Sequence, residues 1–375
     1  MVNDALPAEW EILRGWLPED LDERARAHGF FQRARGLTDA ERWLRLLLMH
    51  VGGGLSLEQA ALRARELGLA EVSAVALFKR LRKAEAWLQD LCQHLLREQQ
   101  SRLGRCDWPG QYRVRAIDAT DIQEPGSTGS TWRVHYSIRL PQLLCDHYEL
   151  TDETGGEKLG RFRFSPDELI LADRGYSHRA GAAQVLDSGA ALLLRWNPAV
   201  FPVETGRGRA FDVLGRLRRL PARGVGEWPI RFRYAGKVYR LRLCAIRKNR
   251  VAAERAHRKA LRKAQRNGTT AQSASLELTA FILVLTSLPA SFSARDVLEF
   301  YRCRWQIELA FKRLKSLLGA GHVPKSDDRS ARAWMQCKLL TALLLERLLL
   351  EAKVFSPWGY ALREPQPMAP GARSA

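Results

Sequence analysis

The pattern of apolar residues after position 111 limits this chain to a small set of folds. Apolar and polar residues alternate over 112–118 and again over 132–139, and both stretches are rich in strand-forming residues. A third stretch of the same kind, 143–151, follows after a short turn. Alternation with a period of two is typical of strands with one buried face, so the sequence predicts three consecutive antiparallel strands.

The elements that follow differ from these three strands. Residues 169–172 form a short apolar run, which indicates a strand buried on both faces. A helix over 179–186 and an apolar strand over 191–195 complete the series. Three antiparallel strands followed by alternating helix and strand is the order of an RNase H-like fold. We therefore predict an α/β protein with an RNase H-like core, the first part of which spans 109–195.

Residues 196–290 interrupt this core and predict a β-rich insertion. Within it, 231–234 and 238–244 flank a glycine-containing turn, as in a β-hairpin. Residues 247–266 then carry nine Lys or Arg and a single acid, Glu254. This basic segment fits either a solvated charged helix or an arm that binds phosphates, since a polyanion would relieve the repulsion among its cations.

Residues 291–352 return to the core as its second part. A long helix over about 293–318 and an amphipathic helix over about 329–351 are predicted here. The remaining tail, 353–375, is rich in Pro and Ala and is predicted to be disordered.

Residues 1–108 have helical periodicity and form a predicted N-terminal helical region. Ser56 begins one helix with a capping box, and Ser73 caps a second helix that carries Lys79 and Arg80. Two short helices, the second of them basic, fit a helix-turn-helix that contacts DNA. They also fit an ordinary helical bundle with a charged outer face.

The charge of the chain indicates a polyanionic partner. The net charge is +19 and the pI is about 10.2, which favours nucleic acid first and an anionic membrane second. The two most apolar stretches, 43–51 and 339–350, are short and contain Arg or Glu, so neither predicts a membrane span. The N-terminus lacks the basic and apolar regions of a signal peptide, which predicts cytoplasmic residence.

Three acids stand at positions where metal-assisted phosphodiester chemistry would need them. Asp118 is predicted to end the first strand, Asp173 follows the buried apolar strand, and Glu308 lies on the late helix. Asp121 is a rival ligand, and each acid alone could equally cap a turn or a helix. The six cysteines form no Cys-x2-Cys pair, and no His completes a zinc pattern. A bound metal should therefore be a hard cation, Mg²⁺ or Mn²⁺, held by carboxylates.

The late helix also carries an unusual set of polar residues. Tyr301, Arg304, Glu308 and Lys315 follow one another at spacings of three, four and seven. At about 100° per residue all four project from one narrow helix face. One carboxylate, two cations and a phenol on one face suit a site that holds a metal ion and phosphates together.

This spacing, Tyr-x2-Arg-x3-Glu-x6-Lys, resembles the signature of the insertion-sequence-4 group of DDE transposases. The Asp-x-Thr sequence at Asp118 and the Ala-Asp-Arg-Gly-Tyr sequence at Asp173 resemble the settings of the other two acids of that group. The resemblance covers roughly residues 50–350. The C-terminal tail departs from the pattern, since relatives tend to continue past the Ser-Pro-Trp sequence found at 356–358.

The resemblance implies cut-and-paste DNA transposition. Asp118, Asp173 and Glu308 would coordinate two Mg²⁺ ions, which Mn²⁺ could replace. The DNA partners would be the terminal inverted repeats and the target, bound by a homodimer in a paired-end complex, in the cytoplasm and on the nucleoid.

The resemblance also implies roles in DNA binding. Tyr301, Arg304 and Lys315 would hold end phosphates, and Trp305 or Trp228 could stack on an extruded base. Two alternatives stay open: a decayed relic that only binds DNA, and an RNase H-like nuclease that cleaves without strand transfer.

Overall fold

A computed structural model of the protein describes residues 5–31, 37–102, 112–124, 126, 131–221, 224–324 and 327–352. The chain divides into two compact units, one made of residues 1–103 and 316–375 and the other of residues 104–315. The predicted tail, 353–375, lies outside the described residues, as does Cys106.

The first unit begins with six helices. They are α1 (Ala5–Arg14), α2 (Leu21–Ala27), α3 (Ala40–Leu47), α4 (Leu57–Glu66), α5 (Ala74–Leu81) and α6 (Glu85–Arg102). Ser56 and Gln59 form the predicted capping box at the start of α4, and the Ser73 hydroxyl accepts the Ala76 N–H at the start of α5. The rings of Phe30 and Trp87 pack at 4.6 Å in the core of this unit.

The second unit is built on the predicted strands. They are β1 (Arg113–Ile122), β2 (Trp132–Leu140), β3 (Leu144–Asp152) and β4 (Glu168–Ala172), followed by α7 (Arg179–Asp187) and β5 (Ala191–Arg195). Strands β1, β2 and β3 are antiparallel neighbours, whereas β4 runs parallel to both β1 and β5. The resulting order, β3-β2-β1-β4-β5, confirms the RNase H-like prediction.

One strand boundary was predicted wrongly. Asp118 does not end β1 but lies within it, opposite Tyr136 of β2. The pairing continues to Ile122 and Trp132, because β2 supplies partners along the whole of this longer strand. The residues before and after Asp118 in β1 are therefore both paired with β2.

The insertion extends the same sheet. It contains β6 (Glu204–Thr205), α8 (Val213–Arg218), β7 (Val225–Tyr234), β8 (Lys237–Arg247), α9 (Arg250–Arg266), α10 (Ser273–Leu278) and β9 (Phe281–Thr286). Strand β9 pairs with β5 on one side and with β8 on the other, which gives a nine-stranded sheet. The predicted hairpin turns at Ala235 and Gly236, whose positive φ angles of 47° and 76° suit a tight two-residue turn.

The late helix is not one continuous α-helix, contrary to the prediction. It consists of α11 (Ala294–Arg302), a 3₁₀ turn (Cys303–Trp305), α12 (Gln306–Lys312) and a π-helical turn (Arg313–Leu317). Such changes in the hydrogen-bond ladder are frequent at functional sites. The chain then continues to α13 (Asp328–Ala352), which packs against α6 in the first unit.

The sheet of the second unit contains a buried ionic network. Arg115 and Arg139 both contact Asp146, at 3.0 and 2.6 Å, and both also contact Glu168. Two cations therefore balance two acids away from solvent, which is the usual requirement for buried charges. Among the helices of the described segments, none is long and apolar enough to cross a membrane.

Candidate active site

Parallel pairing of β1 and β4 brings two predicted acids together. Ile117 of β1 is in register with Ala172 of β4, and each of these residues is followed directly by an aspartate. Asp118 lies within β1, and Asp173 is the first residue after β4. Residues in register on parallel neighbours share a side of the sheet, so both carboxylates lie at the same place.

The guanidinium of Arg304 connects all three predicted acids. Its Nη1 donates to Oδ2 of Asp118 at 2.9 Å, and its Nη2 donates to Oε1 of Glu308 at 3.0 Å. Its Nε lies 3.8 Å from Oδ1 of Asp173. The Arg304 side chain is only 11% exposed, whereas that of Glu308 is 62% exposed. One buried cation thus joins carboxylates from three separate elements.

Asp173 has two further partners. The buried hydroxyl of Tyr301 donates to its Oδ1 at 3.1 Å. Arg195, the last residue of β5, lies 3.8 Å from the same oxygen. Sequence reasoning missed Arg195, although a signal existed, since this cation directly follows the apolar run 191–194. In the structure Leu194 is in register with Ala172, which places Arg195 beside Asp173.

The two aspartates titrate differently. Burial raises the pKa of Asp118 to about 7, because desolvation of the carboxylate outweighs the opposing effects of the Ala119 N–H and of Arg304. Burial also acts on Asp173, but Arg304, a backbone hydrogen bond, Arg195 and Tyr301 together outweigh it and lower its pKa. Asp118 therefore exchanges a proton near neutral pH, while Asp173 stays ionised.

A fourth carboxylate, Glu157, lies near these acids and was not predicted. It stands against Gly175, where a Cβ atom would collide with its carboxylate. Burial raises the pKa of Glu157, and Asp173 and Asp121 act in the same direction, against Arg133. Glu157 lies between β3 and β4, outside any periodic element, and no pattern in the sequence marks it.

The other residues predicted in this unit lie as follows. Lys315 donates to the backbone carbonyl of Asp121, and the indole of Trp305 is half exposed. The Asp121 carboxylate pairs with Arg133 at 2.8 Å and does not contact Arg304. Trp228 packs against the hydrophobic core, with its ring 6.1 Å from that of Phe211.

The predicted DNA-binding residues of the helical unit differ from each other. Lys79 of α5 is exposed. Arg80 donates to the backbone carbonyl of Phe30 at 2.7 Å, and its guanidinium lies over the rings of Phe31 and Trp43. Arg80 therefore contributes to packing within its own unit.

The donor atoms at the site suit a hard cation. Among the residues the structure describes, no three Asp, Glu, His or Cys side chains form a ready-made metal cluster, because Arg304 lies among the acids. Carboxylate oxygens are nevertheless the ligands that Mg²⁺ and Mn²⁺ prefer. The five described cysteines form no disulfide with one another. The donor groups present are of the kind that would hold a divalent ion.

The sequence of this chain is similar to those of known proteins. The family model of the transposase DDE domain matches residues 109–345. The protein InsL for insertion sequence element IS186A of Escherichia coli strain K12 is 35% identical over 347 residues, covering 91% of this chain and 93% of that protein. The transposase for insertion sequence element IS421 of Escherichia coli is 34% identical, with the same coverage.

A solved structure is also similar, at a lower sequence identity. It is the piggyBac transposase synaptic complex with hairpin DNA, with a TM-score of 0.47 and 10% identity, covering 91% of this chain and 75% of that one. The family match spans the strands and helix that carry Asp118, Asp173 and Glu308. On the family match and the two relatives, this chain belongs to the DDE transposases, the enzymes that cleave DNA and transfer its strands in transposition.

Proposed function

We propose that Asp118, Asp173 and Glu308 are the catalytic acids and that they bind two Mg²⁺ ions, which Mn²⁺ can replace. The observation that carries this proposal is their convergence on the single guanidinium of Arg304, within 4 Å in each case. When bound, two such ions activate an attacking oxygen and stabilise a leaving one in phosphodiester chemistry.

The neighbouring residues would prepare these acids. Tyr301 and Arg195 hold the carboxylate of Asp173 in place. Asp118 is fixed within β1 because the residues before and after it pair with β2. The raised pKa of Asp118 means that its carboxyl must release a proton before it can serve as a ligand. Glu308, on α12, is the most exposed of the three acids.

The cations of the site would bind the DNA backbone. With the acids holding metal, the Arg304 guanidinium would be available to pair with a phosphate, for which its planar fork is well suited. Lys315 needs to give up only one carbonyl contact to do the same. The exposed indole of Trp305 could stack on an extruded base. Phosphate binding by Tyr301 stays a prediction, since the contact of its hydroxyl in this structure is with Asp173.

The partners would be double-stranded DNA at the terminal inverted repeats and at the target. We propose that two copies of the chain form a homodimer in the paired-end complex, in the cytoplasm and on the nucleoid. Support for DNA as the partner comes from the net charge of +19 and from the relatives, which are named for insertion sequence elements. Lys79, exposed on α5, is a candidate contact in the helical unit.

The test uses duplex DNA carrying the inverted repeats that flank the gene, incubated with protein and Mg²⁺ or Mn²⁺. Glu308→Ala should bind this DNA and fail to nick it. Glu299→Ala is the matched control, since Glu299 is an exposed acid of α11 whose partner is Arg302. The control should nick as the unaltered protein does.

The reaction products distinguish a transposase from a nuclease and from a decayed enzyme. Nicking at the repeat tip together with joined products establishes strand transfer, whereas nicking alone would indicate a nuclease. Binding without nicking in either metal would indicate a decayed enzyme. If Glu308→Ala loses DNA binding as well, its role is structural and the proposed acid assignment is wrong.

A further inference from the structure

We propose that one face of α9 binds the phosphate backbone of duplex DNA independently of sequence. This inference rests on the proposed function in that DNA is taken as the partner. It concerns a surface in the insertion, remote in sequence from the catalytic acids. The residues that carry it are six cations of α9, here called the basic stripe: Arg255, Arg258, Lys259, Arg262, Lys263 and Arg266.

The basic stripe is a continuous surface. At about 100° per residue, its six side chains project within a sector of roughly 140° on one side of the helix. From Arg255 to Arg266 it extends roughly 17 Å at about 1.5 Å per residue. Duplex DNA carries one charge per roughly 1.7 Å of its axis, so a surface of this length lies opposite several phosphates.

The cations of the stripe are not neutralised by the protein. All six are exposed, and none of them forms an ion pair with an acid within the described ranges. The single acid of α9, Glu254, pairs with Arg250 at 2.9 Å, and Arg250 lies outside the stripe. Like charges on neighbouring helical turns repel one another, so a polyanion on this face would be stabilising.

The opposite face of α9 fixes which way the stripe points. Ala253, Ala256, Ala260 and Ala264 are half-buried, at spacings of three and four residues. Ala253 lines a cavity together with Leu276 and Glu277 of α10, and Arg258 of the stripe borders the same cavity. The stripe therefore faces solvent, where a partner can reach it.

The side chains of the stripe favour duplex backbone over other polyanions. They include no aromatic residue, so they offer no platform on which single-stranded bases could stack. All six are Arg or Lys, which can pair with backbone phosphates whatever the base sequence. An anionic membrane would need a large apolar face on the helix, and the opposite face of α9 consists mainly of alanine.

The test removes three charges along the length of the stripe with R255Q, R262Q and R266Q together. DNA affinity is measured in EDTA against KCl concentration, on a duplex carrying the inverted repeat and on a scrambled duplex of equal length. The slope of log affinity against log salt should decrease by about 2.7 on both duplexes, at about 0.9 per lost phosphate contact. At 0.1 M salt this corresponds to a loss of roughly a hundredfold or more.

Two further variants control for net charge and for folding. R250Q, K237Q and R302Q together remove the same formal charge from exposed positions outside the stripe, each paired with an acid. This control should change the slope by less than one unit. R255K, R262K and R266K together should keep the slope of the unaltered protein, and circular dichroism checks that every variant keeps its helix content.

The outcomes separate this proposal from the proposed function. An unchanged slope in the glutamine variant, or an equal decrease in the charge control, would falsify the stripe proposal whether or not the protein nicks DNA. A loss confined to the repeat duplex would overturn sequence independence, and binding of the stripe to anionic vesicles with an unchanged DNA slope would assign it to membranes instead. Failure of the unaltered protein to nick DNA would contradict the catalytic proposal and leave the slopes measurable.

Discussion

The hydroxyl of Tyr301 donates to Oδ1 of Asp173 across 3.1 Å, although 128 positions separate the two residues. The phenol is buried, and this hydrogen bond is one of the contacts that lower the pKa of Asp173. A residue of α11 thus helps to orient the acid that follows β4 and to keep it ionised. Tyr301 lies in α11 and Glu308 in the next helix, α12, so consecutive helices supply one proposed acid and position another.

Removal of this hydroxyl should weaken catalysis without unfolding the protein. Tyr301→Phe keeps the ring and loses one hydrogen bond to a charged group, worth about 1.5–3 kcal/mol. We expect nicking to slow by roughly ten- to a hundredfold and the pKa of Asp173 to rise. Tyr239→Phe is the control, because Tyr239 donates to Asp187 at the protein surface. Equal effects of the two substitutions would show that the Asp173 contact is not special.

Metal binding should depend on pH through Asp118. The pKa of this residue is raised to about 7, and its protonated form cannot act as a ligand. Affinity for Mn²⁺ should therefore increase as pH rises from about 5.5 to about 8 and level off above about 8, with about one proton released per binding event at the acidic end. Calorimetry in buffers of different ionisation enthalpy measures the proton. A flat affinity across this range would contradict the assignment.

Lys315 should contribute one phosphate contact at the transposon end. Lys315→Ala is expected to weaken end binding and to reduce the salt slope by about 0.9. Arg313→Ala serves as the control, since Arg313 is exposed and projects about 160° away from Lys315 around the helix. An unchanged slope for Lys315→Ala would remove this residue from the DNA contacts.

The buried ionic network should be far more sensitive than a surface pair. Glu168→Gln leaves Arg115 and Arg139 with one buried acid between them, which we expect to cost about 3–5 kcal/mol. Asp167→Asn, one residue away, breaks a partly exposed pair with Arg113 and should cost ~0–1 kcal/mol. Urea unfolding of both variants measures the difference. Similar costs would mean that the buried network contributes no more to the free energy of unfolding than the surface pair does.

Periodicity was enough to predict most of the core. The strands from β1 to β5 and the hairpin of the insertion follow from alternation or from apolar runs, because a sheet residue must face either core or solvent. The end of β1 was misplaced, since Asp118 interrupts the apolar pattern while the backbone continues to pair with β2. A polar residue within a strand can therefore look like the end of that strand in the apolar pattern.

The internal contacts of the site could not be predicted in the same way. Spacing indicated that Tyr301, Arg304 and Glu308 share a helix face, but not that Arg304 would bind all three acids. It also gave no sign of the 3₁₀ and π turns in this segment. These features depend on distances between elements far apart in the chain. The position of Glu157 near the acids could not be predicted for the same reason.

The pairing of β9 with β5 makes the insertion inseparable from the enzyme. Strand β5 ends at Arg195 beside Asp173, and its outer backbone groups are covered by β9. Excising residues 196–290 would uncover this edge and present a template for pairing between chains, which promotes aggregation. A shortened version of the protein would therefore need a replacement strand at that edge before it could stay monodisperse.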